Sequence, residues 1–505
     1  MSFKHKILTL SLFAALVGAL VLPSNAQTAG GRIVVGQTSD VLTLDPSLDT
    51  SPIGLNVLQN IFDQLSVIEA DGSVGSGLAT KWGSTPDLKT WTFNIRPNVK
   101  FHDGSPLSAE DVVWTYKKIM ADDKSPVKAY LGKIVSIEAS GEDKVVIVLN
   151  SAWAPFPRQV SMISILPKKT YESLGAEKFA KAPIGTGPYS VVKWVKDDAV
   201  ELAAFEGYWG GAPKVKTVIF RPVPAEAARS AALMSGELDI VASLPPTLIE
   251  RLSSAPGLNV EKIASNRVAY LGLNLDNPAL ADLRIRQAID LAIDRTAIST
   301  RLLRGLGIPQ GQIPAPVTFG YDSDIKPVAY DLQRAKALLQ EAGYKGEKIV
   351  FEYPNNRLAL GEQVAQTIAG SLTAIGMNIE LRGMEYAGWF PLWTQRKMQG
   401  LYMASFGPSI MDSDLIAQFF FETGPSRGYW DDKRANELSL AQRAEPDASK
   451  RKAMLSEIWK LNLASAAYLP LYNDVTAYGI RKSVKWTPRA DERIPLKDAE
   501  ILPAR

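Results

Sequence analysis

Few residues in this chain could carry out covalent chemistry. Its 505 residues include no Cys and two His, His5 and His102. A His/Cys zinc site is therefore practically excluded. A Ser-His-Asp hydrolase would have to use His102. His102-Asp103 has the makings of a base and its orienting acid, but Gly104-Ser-Pro follows and no Ser stands beside it in a nucleophile elbow. It reads as a polar turn. Ser125-Pro-Val-Lys128 matches the Ser-x-x-Lys of some acyl enzymes. Pro126 spoils the helix that would join Ser to Lys, and the companion motifs are missing. Gly185-Thr-Gly187 suggests a phosphate loop, but the third Gly is absent and Pro188 forbids an anion-cradling helix start. No HExxH, GxSxG or Walker A pattern occurs. The chain is read as no enzyme, with no catalytic residue, metal ligand or cofactor.

Binding chemistry is better represented. There are 11 Trp, and Trp153, Trp389, Trp393 and Trp430 stand isolated in polar or turn contexts. Aromatic walls with a few polar anchors are what small-molecule clefts need. Trp389 is a candidate for such a wall. Arg357, in Tyr353-Pro-Asn-Asn-Arg357, can hold a carboxylate bidentately.

These residues need elements to place them. Trp91, Phe93 and Ile95 alternate with polar neighbours, which predicts a half-buried strand. Pro97-Asn98 turns the chain, and Val99 and Phe101 predict a second strand. Ser108 is an N-cap with Asp111 completing a capping box, and Val112, Val113, Tyr116 and Ile119 share one helical face. Further strands are expected at 31–36, 65–68, 134–138, 145–149, 189–194, 218–222, 240–242, 270–274, 378–381 and 401–406. Helices are expected at 55–65, 226–234, 283–295, 331–342 and 362–375, the last two stopped by Gly343 and Gly376. Alternating strands and helices argue for an α/β fold.

The first residues read as a targeting segment. Lys4, His5 and Lys6 precede an apolar run, Ile7 to Leu22, and Ser24-Asn25-Ala26 suits a signal peptidase. With no Cys, a lipid anchor is excluded. Cleavage after Ala26 leaves 505 − 26 = 479 residues, enough for two or three domains. The formal charge falls from +3 to +1 as Lys4 and Lys6 depart, which gives no electrostatic case for nucleic acid or a membrane surface. A periplasmic monomer is expected, held together by its cores, since no disulfide is possible.

Several stretches carry a resemblance. GLATKWGSTPDLKTWTFNIRPNVKFHDGSPLSAEDVVWTYKKIM, Gly77 to Met120, resembles the signature of the family 5 extracellular solute-binding proteins, the dipeptide, oligopeptide and nickel carriers of ABC importers. Similar landmarks are the Leu42-Thr-Leu-Asp-Pro46 turn, Pro183 to Tyr189 (PIGTGPY), Phe205 to Gly210, Tyr270 to Arg295 and Asp331 to Tyr344.

The resemblance implies a two-lobed α/β periplasmic binding protein of the large three-subdomain variety. A first domain would comprise 27–65, 204–275 and 481–505, an inserted one 66–203, and a second lobe 276–480. Ligand would sit between the lobes, and an inner-membrane ABC permease would receive it. In dipeptide carriers of this family, the strand matching Leu401 to Phe406 ends in an aromatic, and an Asp three residues on clamps the peptide amine. Here the aromatic is Phe406 and the third residue on is Ser409. Asp412 and Asp414 match the family's Asp-x-Asp pair, which more often shapes the loop than touches ligand. The Arg that holds the carboxylate in those carriers is replaced by Glu362 and Gln363, leaving Arg357 just upstream. The candidate ligand residues are thus Arg357, Trp389, Phe406, Ser409 and Asp412. A peptide or peptide-like solute is the expected cargo. An opine, chelated nickel or another anionic solute is the alternative, as is a sensory role on the same fold. A peptide hydrolase is the rival of another class.

Overall fold

The computed structural model describes residues 31–355, 357–422 and 429–503. The expected signal segment lies outside the described residues. Among these residues, no helix is long and apolar enough to cross a membrane.

Two long strands organise the molecule. Leu258–Leu273 and Tyr468–Arg481 run antiparallel from Leu258↔Arg481 to Gly272↔Tyr468. They sit in the middle of an 11-stranded mixed sheet. To one side lie Ile240–Val241, Arg32–Gln37, Thr217–Pro222, Ala199–Ala204 and Tyr189–Val195; to the other, Leu401–Phe406, Lys348–Asn355 and Asn378–Glu385. The two flanks carry different cores. One is built on Ile33, Val35, Val218, Phe220 and Tyr478, the other on Phe351, Val364, Ile368, Leu401 and Met403. The only stretch of Leu258–Leu273 expected from sequence was its end, from Tyr270. Its earlier part alternates weakly because both faces change environment as the strand crosses between cores.

The long pair is broken once. Its register shifts between Ala264, which pairs with Val475, and Val268, which pairs with Asn473, so Ser265, Asn266 and Arg267 form a bulge opposite Asp474. The fully buried Asn473 amide donates to the carbonyls of Ser265 (2.8 Å) and Arg267 (2.7 Å). A bulge leaves backbone groups unpaired, and here one side chain satisfies two of them.

A separate four-stranded antiparallel sheet orders Ala79–Ser84, Thr90–Ile95, Lys144–Leu149 and Ile134–Ala139. Its core takes Trp91, Phe93 and Ile95 from the alternating strand and Val112, Tyr116 and Ile119 from helix Ala109–Ala121. The capping box forms: Asp111 N–H donates to Ser108 Oγ, and Ser108 N–H to Asp111 Oδ2 at 2.9 Å. The second strand expected at Val99 and Phe101 does not form. Asn98 adopts φ 59°, and the segment closes on itself through a single bridge, Lys100↔Pro106. Both apolar side chains are buried all the same. The helix expected at 55–65 is instead Pro52–Ile61. Ser51 caps it by accepting from Gly54 N–H, and Pro52 suits the first turn.

His102 is structural. Its Nε2 lies 3.0 Å from the Gly187 carbonyl, and Nδ1 accepts from Gly185 N–H at 3.2 Å. The ring meets Phe205 edge-on at 5.0 Å. Asp103 turns away to accept from Ser105 and Thr170. The Gly185-Thr-Gly187 turn packs flat on the end of helix Pro52–Ile61: a Cβ on Gly185 would sit 2.0 Å from the Ile61 carbonyl oxygen. Close backbone approach, not a phosphate, explains these glycines. Thr186, Tyr208 and Trp209 all donate to buried Asp63, whose pKa burial raises to about 6.

Burial lowers the His102 pKa from 6.5 to about 4. The unfolded chain therefore takes up this proton first as pH falls. Stability is lost from pH 6.5 down to 4, by up to about 3 kcal/mol, and no further below that. His102→Gln cannot titrate, so its melting temperature should fall less steeply across this window. Equal slopes in the two proteins would rule out His102 as the cause.

Candidate functional site

Beside the bulge, where Phe406 pairs with Val268, aromatic side chains form one continuous run. Tyr386, Trp389, Phe390 and Trp393 recur at i, i+3, i+4 and i+7 on helix Tyr386–Thr394, which places them on one face. Trp389 is stacked between Tyr386 (6.2 Å, 19°) and Trp393 (5.4 Å, 23°). Trp393 meets Phe419 at 4.9 Å, and Phe419 stacks on Phe406 at 5.2 Å. Phe406 ends strand Leu401–Phe406, and Phe419 comes from helix Ser413–Phe421. Trp389 itself is 2% exposed and backs the wall, whereas Phe390 and Tyr386 are exposed and Trp393, Phe406 and Phe419 half-buried.

Charged groups stand at the head of this run. Arg357 follows strand Lys348–Asn355 and lies over the Tyr386 ring, 5.4 Å from its centroid. Its surface is exposed, yet burial is the first cause lowering its pKa, followed by repulsion from Arg267. Arg357 has no ion-pair partner among the described residues. Arg267, from the bulge, pairs with Glu492 at 3.1 Å, and Glu492 also accepts from Thr476. Asp474, beside Asn473 on the long strand Tyr468–Arg481, has a half-buried carboxylate with no hydrogen-bond donor among the described residues. Burial raises its pKa to about 7, against the pull of Arg267; Glu492 pushes it up further and Arg357 pulls it down.

Three of the five sequence candidates, Arg357, Trp389 and Phe406, are thus joined by one run of ring contacts. The other two lie apart from it. The Ser409 hydroxyl is hydrogen-bonded to the Tyr130 hydroxyl at 2.9 Å, across to the four-stranded-sheet side. Asp412 corrects the expectation of a ligand contact. It has no exposed surface, and Arg451 grips it through both oxygens (2.8 and 2.5 Å) with Arg158 at 3.4 Å. Burial pushes its carboxyl up, but the guanidiniums outweigh that and hold it below the usual range. Asp412 also caps helix Ser413–Phe421. Asp414 is saturated likewise, accepting from Trp153 (3.1 Å), Gln442 (2.6 Å) and Arg443 (2.5 Å). Trp153 is therefore a buried strut, and Trp430 packs edge-on against Phe421.

The comparisons with known proteins agree on one family. The model described as "Bacterial extracellular solute-binding proteins, family 5 Middle" matches residues 73–427. The chain belongs to this family. Its members are binding proteins rather than enzymes. The dipeptide-binding protein of Escherichia coli K12 is 28% identical over 443 residues, covering 81% of this chain and 82% of the relative. The nickel-binding periplasmic protein of the same organism is 27% identical over 494 residues, covering 91% and 92%. The periplasmic binding protein DppA from Helicobacter pylori, solved with the peptide STSA, superposes with a TM-score of 0.80 at 24% identity, covering 94% of this chain and 98% of that one. The fold is the two-lobed α/β architecture of family 5.

Within this family 5 protein, sequence reasoning missed Arg267, Tyr386, Asp474 and Glu492. Two of them left a trace. Ser265-Asn-Arg267 and Asn473-Asp474 are polar interruptions in otherwise apolar strands, at facing positions. Tyr386 hides in an aromatic-rich helix, and Glu492 is over two hundred residues from Arg267.

Proposed function

We propose that this family 5 protein captures a peptide or peptide-like solute in the periplasm and delivers it to an inner-membrane permease. The lobes are read as residues 27–65, 204–275 and 481–505 with the inserted 66–203, facing 276–480. The two long strands and their bulge form the hinge, and ligand contacts made only in the closed state would drive closure. No bond is made or broken. One observation carries this reading: Arg357, a guanidinium without an ion-pair partner among the described residues, stands at the head of an aromatic wall. That is the combination a carboxylate-bearing side chain or peptide end needs. The E. coli relative is named for dipeptides, and the H. pylori structure holds a peptide.

A second reading, a non-peptide anionic solute such as an opine, is favoured by Ser409. Its hydroxyl is engaged by Tyr130, and it carries no charge to neutralise an amine. Nickel would have to arrive chelated, because among the described residues no group of three or more His, Cys, Asp or Glu could hold the bare ion.

Mass spectrometry of what co-purifies, followed by a thermal-shift screen, decides between the cargoes, since binding raises stability by mass action. Arg357→Ala is expected to weaken binding of a carboxylate-bearing ligand at least about tenfold, roughly 1.4 kcal/mol. An unchanged dissociation constant removes Arg357 from the site. Recovery of cleaved peptide after incubation would overturn the carrier reading in favour of a hydrolase.

A further inference from the structure

The loop that follows Phe406 runs from the hinge bulge into the four-stranded-sheet subdomain. It starts against the bulge: a Cβ on Gly407 would lie 2.8 Å from Asn266 Oδ1, and the Asn266 amide donates to the Pro408 carbonyl at 3.0 Å. Ser409 then meets Tyr130, hydroxyl to hydroxyl, at 2.9 Å. Ile410 has no exposed surface and belongs to the core of the four-stranded sheet, while Met411 packs with Ile68 and Ala490. Arg158 ends the row. Its Nη1 lies 3.2 Å from the Ile410 carbonyl and 3.3 Å from that of Met411, and its Nε lies 3.4 Å from Asp412. A second set of contacts follows. Trp153 Nε1 donates to Asp414 at 3.1 Å, and the Ala154 N–H donates to the Arg443 carbonyl at 2.7 Å. The fit is close: a Cβ on Gly72 would lie 2.5 Å from the Val317 carbonyl oxygen.

Tyr130, Trp153, Ala154 and Arg158 fall in the inserted 66–203, whereas Ser409 to Asp414 and Arg443 fall in 276–480. These contacts therefore cross from one lobe to the other, and all are made by the protein's own groups. We propose that they form a clasp that biases the lobes towards the closed state with no cargo bound, so that Ile410, Tyr130 and Arg158 set the affinity for every cargo alike. The inference rests on the carrier reading and lobe division above. Its apolar part supplies the bias, because opening would return Ile410 and Met411 to water. The polar contacts would exchange protein partners for water at small net cost, so they fix the register of the closed lobes more than their stability. Cargo then has less to supply, since apparent affinity scales with the fraction of protein already in the binding-competent state.

Hydrogen exchange of the full mature chain, stripped of co-purified molecules by unfolding and refolding, is the test, with no cargo added. The Ala154 amide is the reporter, because its acceptor lies on the other lobe. Its exchange should be slow in the parent and at least about tenfold faster in Ile410→Ala, which removes a buried side chain from the seam. Tyr130→Phe removes one hydroxyl and should accelerate it about two- to fivefold. Amides of strands Thr90–Ile95 and Lys348–Asn355, one in each lobe, should keep the parent rate in both variants. An Ala154 amide that exchanges in the parent as fast as in an unstructured chain overturns the clasp. So does a rate unchanged in Ile410→Ala, or one that rises only in step with the two strands, since Ile410 then serves the fold as a whole. If Ile410→Ala does not fold, Tyr130→Phe decides, and an unchanged Ala154 rate overturns the clasp. Failure here leaves the carrier reading standing, because no cargo is involved. Failure of the carrier reading, by recovery of cleaved peptide, would leave the Ala154 rate as it is.

Discussion

Asp412→Ala should cost the fold about 3–5 kcal/mol, the usual penalty for stranding one member of a buried ion pair. Folded proteins have only about 5–15 kcal/mol to lose. The reason lies in the geometry. Removing the carboxylate leaves Arg451, itself buried, without its two-point partner, and Arg158 without its nearest anion. It also removes the cap from helix Ser413–Phe421, worth about another 1 kcal/mol. Chemical denaturation of the variant measures the loss. A residue whose role was to touch ligand would behave oppositely, with normal stability and lost affinity. That outcome would reinstate Asp412 as a ligand contact. The double variant Asp412→Leu with Arg451→Met should recover much of the stability, because an apolar pair of similar volume leaves no stranded charge.

Asp474→Asn should stabilise the ligand-free protein at pH 8 by an amount on the order of 2–4 kcal/mol. The folded-state pKa of about 7 lies above the ordinary 3.8 because burial disfavours the carboxylate. The folded chain therefore holds this proton over a range where the unfolded chain has lost it. The destabilisation begins as pH rises through 3.8 and is complete above 7. At pH 4 the variant and the parent should be nearly equal. Asp63 contributes a penalty of the same sign up to pH 6 in both proteins, and His102 one of opposite sign between pH 6.5 and 4, so the difference between variant and parent isolates Asp474. A difference that is the same at pH 4 and pH 8 would refute the linkage.

Local rules made some of this protein legible. The alternation Trp91, Phe93, Ile95 became a strand with those three residues buried, and Ser108 with Asp111 became a capping box. Both follow from contacts within a few residues of chain. Val99 and Phe101 obeyed the same alternation and failed, because Asn98 in a left-handed turn folds the segment back on itself before it can find a partner strand. Arg357 was visible as a charged residue after a strand, and Phe406 as an aromatic at a strand end. What tied them together, the run through Tyr386, Trp389, Trp393 and Phe419, passes over two separate helices.

The sequence by itself determined the family, the α/β class and the poverty of catalytic groups, since composition and short motifs are properties of neighbours along the chain. Only the tertiary structure decided which polar residues remain free. Asp412 and Asp474 are both acids beside apolar strands in sequence. Asp412 finds Arg451 and Arg158, 39 and more than two hundred residues away, and is neutralised; Asp474 finds no hydrogen-bond donor for its carboxylate among the described residues. Whether a charge is satisfied depends on partners brought close in space by long-range strand pairing, and no spacing along the chain encodes that distance.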